Sequence, residues 1–233
     1  MSRTPLSRLP NFDPRRVPEL GRDHHLPAVP PDQLAAQALR NRFLSPPVWR
    51  PEVVLERRFS DREPAHAAVL VPLIQRTAGE GGPTVLLTQR TSHLSTHSGQ
   101  VAFPGGKVDR DDASEEAAAL REAHEEVGLD PDRVEIIGRL PTYVTGTAFI
   151  VTPVVALVQP QLQLEPNPEE VAEVFEVPLS FLMDPANHRR HAFEWDGERR
   201  EWFAMPYAKE GVERYIWGAT AGMIRNLYRF LSA

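Results

Sequence analysis

The alternation of apolar and polar positions divides the chain into short β-branched runs on either side of one Ala-rich helical segment. AAVLVPLIQ (67–75) and TVLLTQR (84–90), separated by the turn-forming GEGGP, read as two strands. Pro72 inside the first run points to an edge strand or a bulge, because proline brings no N–H to a ladder. QVAF (100–103) is a shorter candidate, closed by Pro-Gly-Gly. Beyond the helix, VEIIGRLPTYV (134–144), TPVVALVQ (152–159) and EVFEVPL (173–179) are rich in β-branched residues, and Pro178 marks a short helix through Met183. FEWDGERREWFAM (193–205) has the pattern of a hairpin with Asp196-Gly197 at its turn. QLAAQALRNRFL (33–44) predicts a short amphipathic helix stopped by Ser-Pro-Pro, and IWGATAGMIRNLYRFL (216–231) a terminal helix despite two glycines. Residues 1–33, dense in proline and charge, read as an extended, loosely structured arm, which leaves 34–233 as the domain. Strands on both sides of a central helix give a mixed α/β (α+β) class.

The central helix carries the chemistry. Asp112-Ala-Ser-Glu115 fits a capping box with Asp112 at the N-cap, and Gly128 stops the helix about four turns later. At about 100° per residue, Glu126 falls about +40° and Glu125 about −60° from Glu122, so the three share a face with Glu115. Leu120, Val127 and Ala117 fall opposite, and His124 joins them as an expected core histidine. Carboxylates at i, i+4 repel by about 0.2–0.5 kcal/mol. Such a face is either simply solvated or set against something positive. Upstream, Gly105-Gly106 lets backbone amides approach a phosphate with no Cβ in the way. Clustered carboxylates are the hard oxygen ligands that Mg²⁺ or Mn²⁺ takes, often with substrate phosphates completing the shell. Together these residues point to metal-assisted phosphoryl chemistry.

Composition removes several alternatives. At 233 residues the chain is one large domain, or one with extensions. A net charge of −6 gives no global attraction to nucleic acid or an anionic membrane. The absence of cysteine excludes disulfides, thiolate metal sites and a cysteine nucleophile. No run of about 18 apolar residues and no apolar leader segment occur, so a cytoplasmic location is expected. Lysine occurs only at 107 and 209 in a chain rich in arginine. His93 and His97 have the spacing of a helical zinc pair, but the intervening residues lack the catalytic Glu and Gly99 argues for a loop. Ser98 is not in a nucleophile elbow, because Thr96 stands where the first glycine is needed. Tyr215 and Trp217 are candidates to line a pocket.

GKVDRDDASEEAAALREAHEEVGL (106–129) resembles a Nudix box, G-x5-E-x7-R-E-U-x-E-E-x-G-U with U apolar. Arg121, Glu122, Glu125, Glu126, Gly128 and Leu129 match its second half in register, while Ala123 is a weak U. The first half departs: Asp112 stands where the pattern has Glu, and eight residues rather than seven separate it from Arg121. LLTQRTSHLSTHSGQVAFPGG (86–106) is similar to the segment that precedes the box in coenzyme A pyrophosphatases of the Nudix superfamily, with Arg90, Leu94, His97, Gly99, Gln100, Phe103, Gly105 and Gly106 in place. NPEEVAEVFEVPLSFL (167–182) and Ile-Trp-Gly-Ala-Thr-Ala (216–221) resemble that subfamily's later segments, so the likeness spans about residues 50–230.

The resemblance implies a Nudix fold, a mixed β-sheet sandwiched between helices. It also implies a metal-dependent hydrolase that splits the diphosphate of coenzyme A or its thioesters into 3′,5′-ADP and 4′-phosphopantetheine or its acyl form. The family's metal-binding acids map to Glu122, Glu125 and Glu126, with Mg²⁺ or Mn²⁺ as cofactor. Glu125 is a ligand or the water-activating base, Arg121 holds it in place, and Glu170, beside Glu169 and Glu173, is a candidate base or ligand from a downstream loop. Arg90, His97, Gln100, Gly105 and Gly106 are the expected substrate contacts. A small-molecule substrate and a homodimer are the expected partners. The alternatives are a Nudix pyrophosphatase for ADP-ribose, NADH or a dinucleotide polyphosphate, and a nucleotide-sensing Nudix module without catalysis.

Overall fold

The computed structural model of the chain describes residues 12–56, 63–91, 99–195 and 197–233. The main sheet is organised around β2 (Ala65–Ile74) and β8 (Phe149–Val158), which run parallel from Ala65↔Phe149 to Ile74↔Val158. On its other edge β2 pairs with β5 (Gly105–Lys107) and with β3 (Thr84–Arg90). β3 in turn takes β4 (Val101–Ala102) and β9 (Val171–Pro178), while β8 takes β6 (Val134–Arg139) and β7 (Tyr143–Val144).

β2 is therefore an interior strand, not the edge that Pro72 suggested. The proline is tolerated because its nitrogen faces the stretch of edge between the two partners. Leu70 N–H bonds Pro104 O on that side, β5 pairs only with residues 67–69, and β3 only with residues 73–74. No ladder donor is missed there.

Alternation along β2 and β8 sends side chains to two layers. Ala68, Leu70, Val154 and Ala156 pack against α2 (Glu115–Val127). Ala67, Val71, Val151 and Val155 belong to the larger core that holds Met223, Ile224 and Leu227 of α4 (Gly218–Leu231). The sheet is thus sandwiched between helices, with α1 (Ala36–Leu44) beside β6 and a short α3 (Leu179–Leu182) after β9.

A second sheet, in order β1-β10-β11-β12, joins the two ends of the chain: β1 (Glu19–Arg22), β10 (Arg189–Trp195), β11 (Glu198–Lys209) and β12 (Val212–Trp217). β10 and β11 form the expected hairpin, with Gly197 at φ +72° in the turn; Asp196 lies outside the described residues. The terminal helix starts later than its sequence suggests, because Val212–Trp217 is a strand and Gly218 opens α4.

Residues 12–33 are not a loose arm. β1 pairs with β10, and Val17 and Val29 are buried. The hydroxyls of Tyr215 and Tyr228 donate to the carbonyls of Pro14 and Pro27 at 3.1 and 2.9 Å. Asp23 contributes to a buried ionic cluster centred on Arg225, which is 1% exposed. Arg225 bonds Asp23 and Glu52, each at 2.7 Å, and its Nη1 donates to Nδ1 of His188 at 3.1 Å. His188 Nε2 is 2.7 Å from Leu182 O, so the imidazole is neutral with its proton on Nε2. Burial, helped by the neighbouring Arg225 charge, pushes the His188 pKa down to about 4.

Candidate active site

α2 is capped by Ser114, whose Oγ accepts from Ala117 N at 3.2 Å, and ends at Gly128 with φ +69°. Asp112, the expected cap, does something else. A turn from Asp109 to Asp112 sets its carboxylate against Arg121, with Nε···Oδ1 3.0 Å and Nη2···Oδ2 2.9 Å. The Arg121 guanidinium, with the Asp109 N–H second, holds the Asp112 pKa at about 2.

The helix buries a face different from the one its large residues suggested. Ala118, Ala119, Ala123 and Val127 are inside, and Glu126 is buried with them at 4% exposure. Leu120 is only partly buried, and His124 is exposed near Leu129 O rather than packed in the core. Alanine methyl groups let the helix lie close to β2 and β5. The acidic residues therefore sit at the edge of the buried face, not opposite it.

Close packing explains both glycines, Gly106 against α2 and Gly105 against β2, and both belong to strand β5 rather than to the turn expected from Pro-Gly-Gly. A Cβ on Gly106 would lie 2.5 Å from the Glu122 carboxyl carbon, and one on Gly105, at φ +154°, 2.4 Å from Ala68 O. The Gly105 N–H donates to Glu126 Oε2 at 3.1 Å, and Arg90 Nη1 reaches Glu126 Oε1 at 3.4 Å. The start of β5 thus lies directly against the carboxylates of α2.

Arg121 collects the other acids. Its Nη1 bonds Glu122 and Glu125, each at 3.0 Å, and its Nη2 donates to the Lys107 carbonyl at 3.1 Å. The expected Arg121–Glu125 pair is present, but as one part of a network anchored on Asp112. Burial raises the Glu126 pKa to about 7 despite the Gly105 N–H and Arg90, with Glu122 and Glu170 adding repulsion. Burial also raises Glu122, opposed by Arg121 and reinforced by Glu125 and Glu170.

Glu170 comes from the loop that closes the end of α2, where Glu165 N bonds Val127 O and Asn167 N bonds Glu126 O. Its charge acts on both Glu122 and Glu126. Glu173 is instead paired with Arg214, and Glu169 is exposed.

Among the described residues no three His, Asp or Glu side chains already converge as a metal shell. Glu122 and Glu125 lean on Arg121, and Glu126 on Gly105 and Arg90. The donor set nevertheless fits a hard divalent cation: it is all oxygen, and the buried Glu126 and half-buried Glu122 carry more negative charge than their neighbours offset.

Arg90, Gln100, Gly105 and Gly106 line a cavity of about 800 Å³ on the sheet face opposite α2. Glu122, Glu125 and Glu126 do not line it, so the Gly105–Gly106 segment of β5 is the wall shared by cavity and carboxylates. His97 lies outside the described residues. Sequence reasoning missed the remaining walls, which include Glu52, Tyr143, Arg190 and Met223. These positions are far apart in sequence and form no local motif. Trp217 does line the cavity, whereas Tyr215 is buried against Pro14.

The NUDIX domain family model matches residues 64–200. The chain belongs to the Nudix family. A protein of Enterobacter sp. (strain 638) named "Uncharacterized Nudix hydrolase NudL" is 48% identical over 162 residues, covering 69% of this chain and 80% of that one. The Escherichia coli (strain K12) protein of the same name is 45% identical over 163 residues, with the same coverage. Among solved structures, the Nudix hydrolase RenU from M. smegmatis aligns at 28% identity and a TM-score of 0.43, covering 53% of this chain and 77% of that one. The matched Nudix segment holds α2, the Gly105–Gly106 segment of β5 and the loop with Glu170, whereas α4 and residues 12–56 lie outside it.

Proposed function

We propose that this Nudix hydrolase is a divalent-metal-dependent diphosphatase that cleaves coenzyme A or its thioesters to 3′,5′-ADP and 4′-phosphopantetheine or its acyl form. The observation that carries the reading is the buried Glu126, pressed with Glu122 against the two glycines of β5 that line a cavity of about 800 Å³. Burying Glu126 and half-burying Glu122 this way costs stability, and a bound cation would offset that cost. The run of residues 86–106 that resembles the coenzyme A subfamily directs the choice of substrate.

Glu122, Glu125 and Glu126 would hold Mg²⁺ or Mn²⁺, which would supply Lewis-acid neutralisation of the diphosphate charge. Arg121, fixed by Asp112, keeps Glu122 and Glu125 oriented. Glu170 accepts the proton of the attacking water from the side of the loop, with Glu125 as the other carboxylate able to do so. Arg90 and Gln100 position the diphosphate at the cavity wall, with His97 as a further contact. Gly105 and Gly106 let it approach closely.

The test is to incubate the protein with Mg²⁺ or Mn²⁺ and coenzyme A, dephospho-coenzyme A, ADP-ribose or NADH, and to resolve the products. Preferential release of 3′,5′-ADP from coenzyme A is expected. Preferred cleavage of ADP-ribose or NADH would overturn the substrate assignment, and no cleavage of any diphosphate would leave a nucleotide-binding module. Glu122→Gln is expected to lower turnover by orders of magnitude while the melting temperature is retained.

A further inference from the structure

One end of the cavity is walled by aromatic rings that the proposed chemistry leaves unused. His191 of β10 and Trp202 of β11 are register partners, and alternation puts them on the sheet face turned away from Phe203 and Met205 in the core. Their rings stack, with centroids 5.7 Å apart and planes 11° from parallel. Trp217, opposite Ala204 on β12, adds its ring to the same face, 6.0 Å from that of Trp202. All three line the cavity. The Thr220 hydroxyl donates to Val101 O at 3.0 Å, and Arg90 N donates to Gln100 O at the same distance. The start of α4 thus ties these rings to the residues expected to hold the diphosphate.

Two polar atoms of this stack are left over. His191 is 4% exposed, and its Nδ1 lies 3.0 Å from Val17 O. A carbonyl only accepts, so Nδ1 carries the proton and Nε2 of the neutral ring is an acceptor. The indole Nε1–H of Trp202 is a donor. Among the described residues neither Nε2 nor Nε1 has a hydrogen-bond partner, although both atoms are buried. The leading segment lies over them: Val17 holds the other imidazole nitrogen, and the Phe12 ring sits 6.0 Å from Trp202, 6.2 Å from Trp217 and 5.2 Å from Phe193. A purely structural cluster gains nothing from an unmet donor beside an unmet acceptor, because buried polar groups are ordinarily paired. The same two atoms suit the recognition of a polar edge, and Phe12 shows that the place already takes a flat ring.

We propose that this sheet face is a base-binding site, in which an adenine ring replaces the Phe12 ring against Trp202 and Trp217, its 6-amino group donating to His191 Nε2 and a ring nitrogen accepting from Trp202 Nε1. The edge of adenine offers that pair, an amino donor beside a ring-nitrogen acceptor, and its π face suits a stack of aromatic rings. The inference rests on the diphosphatase reading, which supplies an adenine nucleotide as substrate, but base binding is measurable without turnover. Pro14 and Val17 keep their bonds to Tyr215 and His191, so only the tip of the leading segment exchanges with the base.

The chain has four tryptophans, Trp49, Trp195, Trp202 and Trp217, whose indole N–H signals give a direct test. In metal-free protein at pH 8, titration with adenosine 5′-monophosphate should move the Trp202 and Trp217 signals saturably and leave that of Trp49, packed on Phe230, in place. Purine riboside 5′-monophosphate, which lacks only the amino group, should bind about threefold to tenfold more weakly, as expected for one lost hydrogen bond. His191→Phe should remove that preference. Trp202→Phe keeps a ring without the N–H and leaves the Val17 contact alone, and it should weaken adenosine 5′-monophosphate by about threefold to tenfold. Phe12→Ala should tighten the same nucleotide by about as much, because no ring then has to be displaced. Trp202 and Trp217 signals that do not move, or that move no more than that of Trp49, overturn the base site. So do equal wild-type affinities for the two nucleotides, a preference that persists in His191→Phe, or an unchanged affinity in Trp202→Phe. Unchanged or weaker binding in Phe12→Ala overturns the exchange of rings. A protein that binds the nucleotide at these rings but cleaves no diphosphate ester overturns the proposed function and leaves the base site standing.

Discussion

Lowering the pH should unfasten the ionic cluster beneath the cavity through a single imidazole. His188 is fully buried, donates from Nε2 to Leu182 O and accepts from Arg225 at Nδ1. Protonation would remove that acceptor and set a second cation against Arg225. The native pKa lies below the ordinary value of 6.5, at about 4, so below pH 6.5 the unfolded chain takes up a proton that the native state refuses. The stabilisation is complete above pH 6.5 and is lost as pH falls toward 4. In full the loss amounts to about 3 kcal/mol, of which about 2 kcal/mol is expressed at pH 5. Asp23 and Glu52 are held below their ordinary values, so their contributions persist above the carboxylate range and fade only at lower pH. Between pH 7.5 and 5 Glu126, whose pKa is raised to about 7, also takes up a proton and acts in the opposite sense, so the imidazole's share is read as the difference between wild type and a variant without it.

Urea denaturation of metal-free protein at the two pH values measures the effect. His188→Gln keeps one donor and one acceptor but does not titrate, so its change over the interval reports every other group, Glu126 included. With a slope of about 2–3 kcal/mol per molar urea, the wild-type midpoint should fall by about 0.7–1 M relative to that of His188→Gln between pH 7.5 and 5. Equal changes in wild type and His188→Gln would refute the reasoning, because the imidazole would then contribute nothing.

Gly106→Ala should displace the Glu122 carboxylate, since the added methyl group would sit 2.5 Å from its carboxyl carbon. Turnover is expected to fall about a hundredfold with little change in melting temperature, and wild-type turnover would contradict the account of the glycine. Asp112→Asn should free Arg121 from its bidentate partner and lower Mn²⁺ affinity, read by calorimetry, by about tenfold to a hundredfold. Gly222→Ala places a Cβ 2.7 Å from the Tyr143 ring, which lies between α4 and the Glu56 carboxylate. A destabilisation of about 1–3 kcal/mol in urea is expected, and a neutral result would mean that the helix shifts freely there.

What the sequence made legible were features written locally. The β-branched runs at 67–75, 84–90 and 152–159 became β2, β3 and β8, because two-sided burial selects such residues. The stop at Gly128 and the Arg121–Glu125 pair were readable from spacing alone. The buried face of α2 was not, because the wheel weighed Leu120 and Val127 and ignored Ala118, Ala119 and Ala123. Close helix–sheet packing rewards small side chains, which carry little hydrophobic signal. The capping role expected of Asp112 passed to Ser114, because a bidentate arginine nine residues away competes for the carboxylate. The order in residues 12–33 was hidden for a different reason: its partners lie at 188–228 and give no sign within a sequence window.

The long-range docking of residues 12–33 bears on the order in which the molecule is made. Asp23 waits for Arg225, and Pro27 for Tyr228, about 200 residues later. At roughly 5–20 residues per second, that interval is on the order of 10–40 s of synthesis. The sheet and acid-bearing helix, residues 65–178, can come together well before α4 exists to cover the other face of β2 and β8. A nascent chain thus carries an uncovered apolar surface and an unengaged leading segment at once. α4 and the leading segment then close over it together, so a chain shortened before Arg225 would lose both coverings in one step.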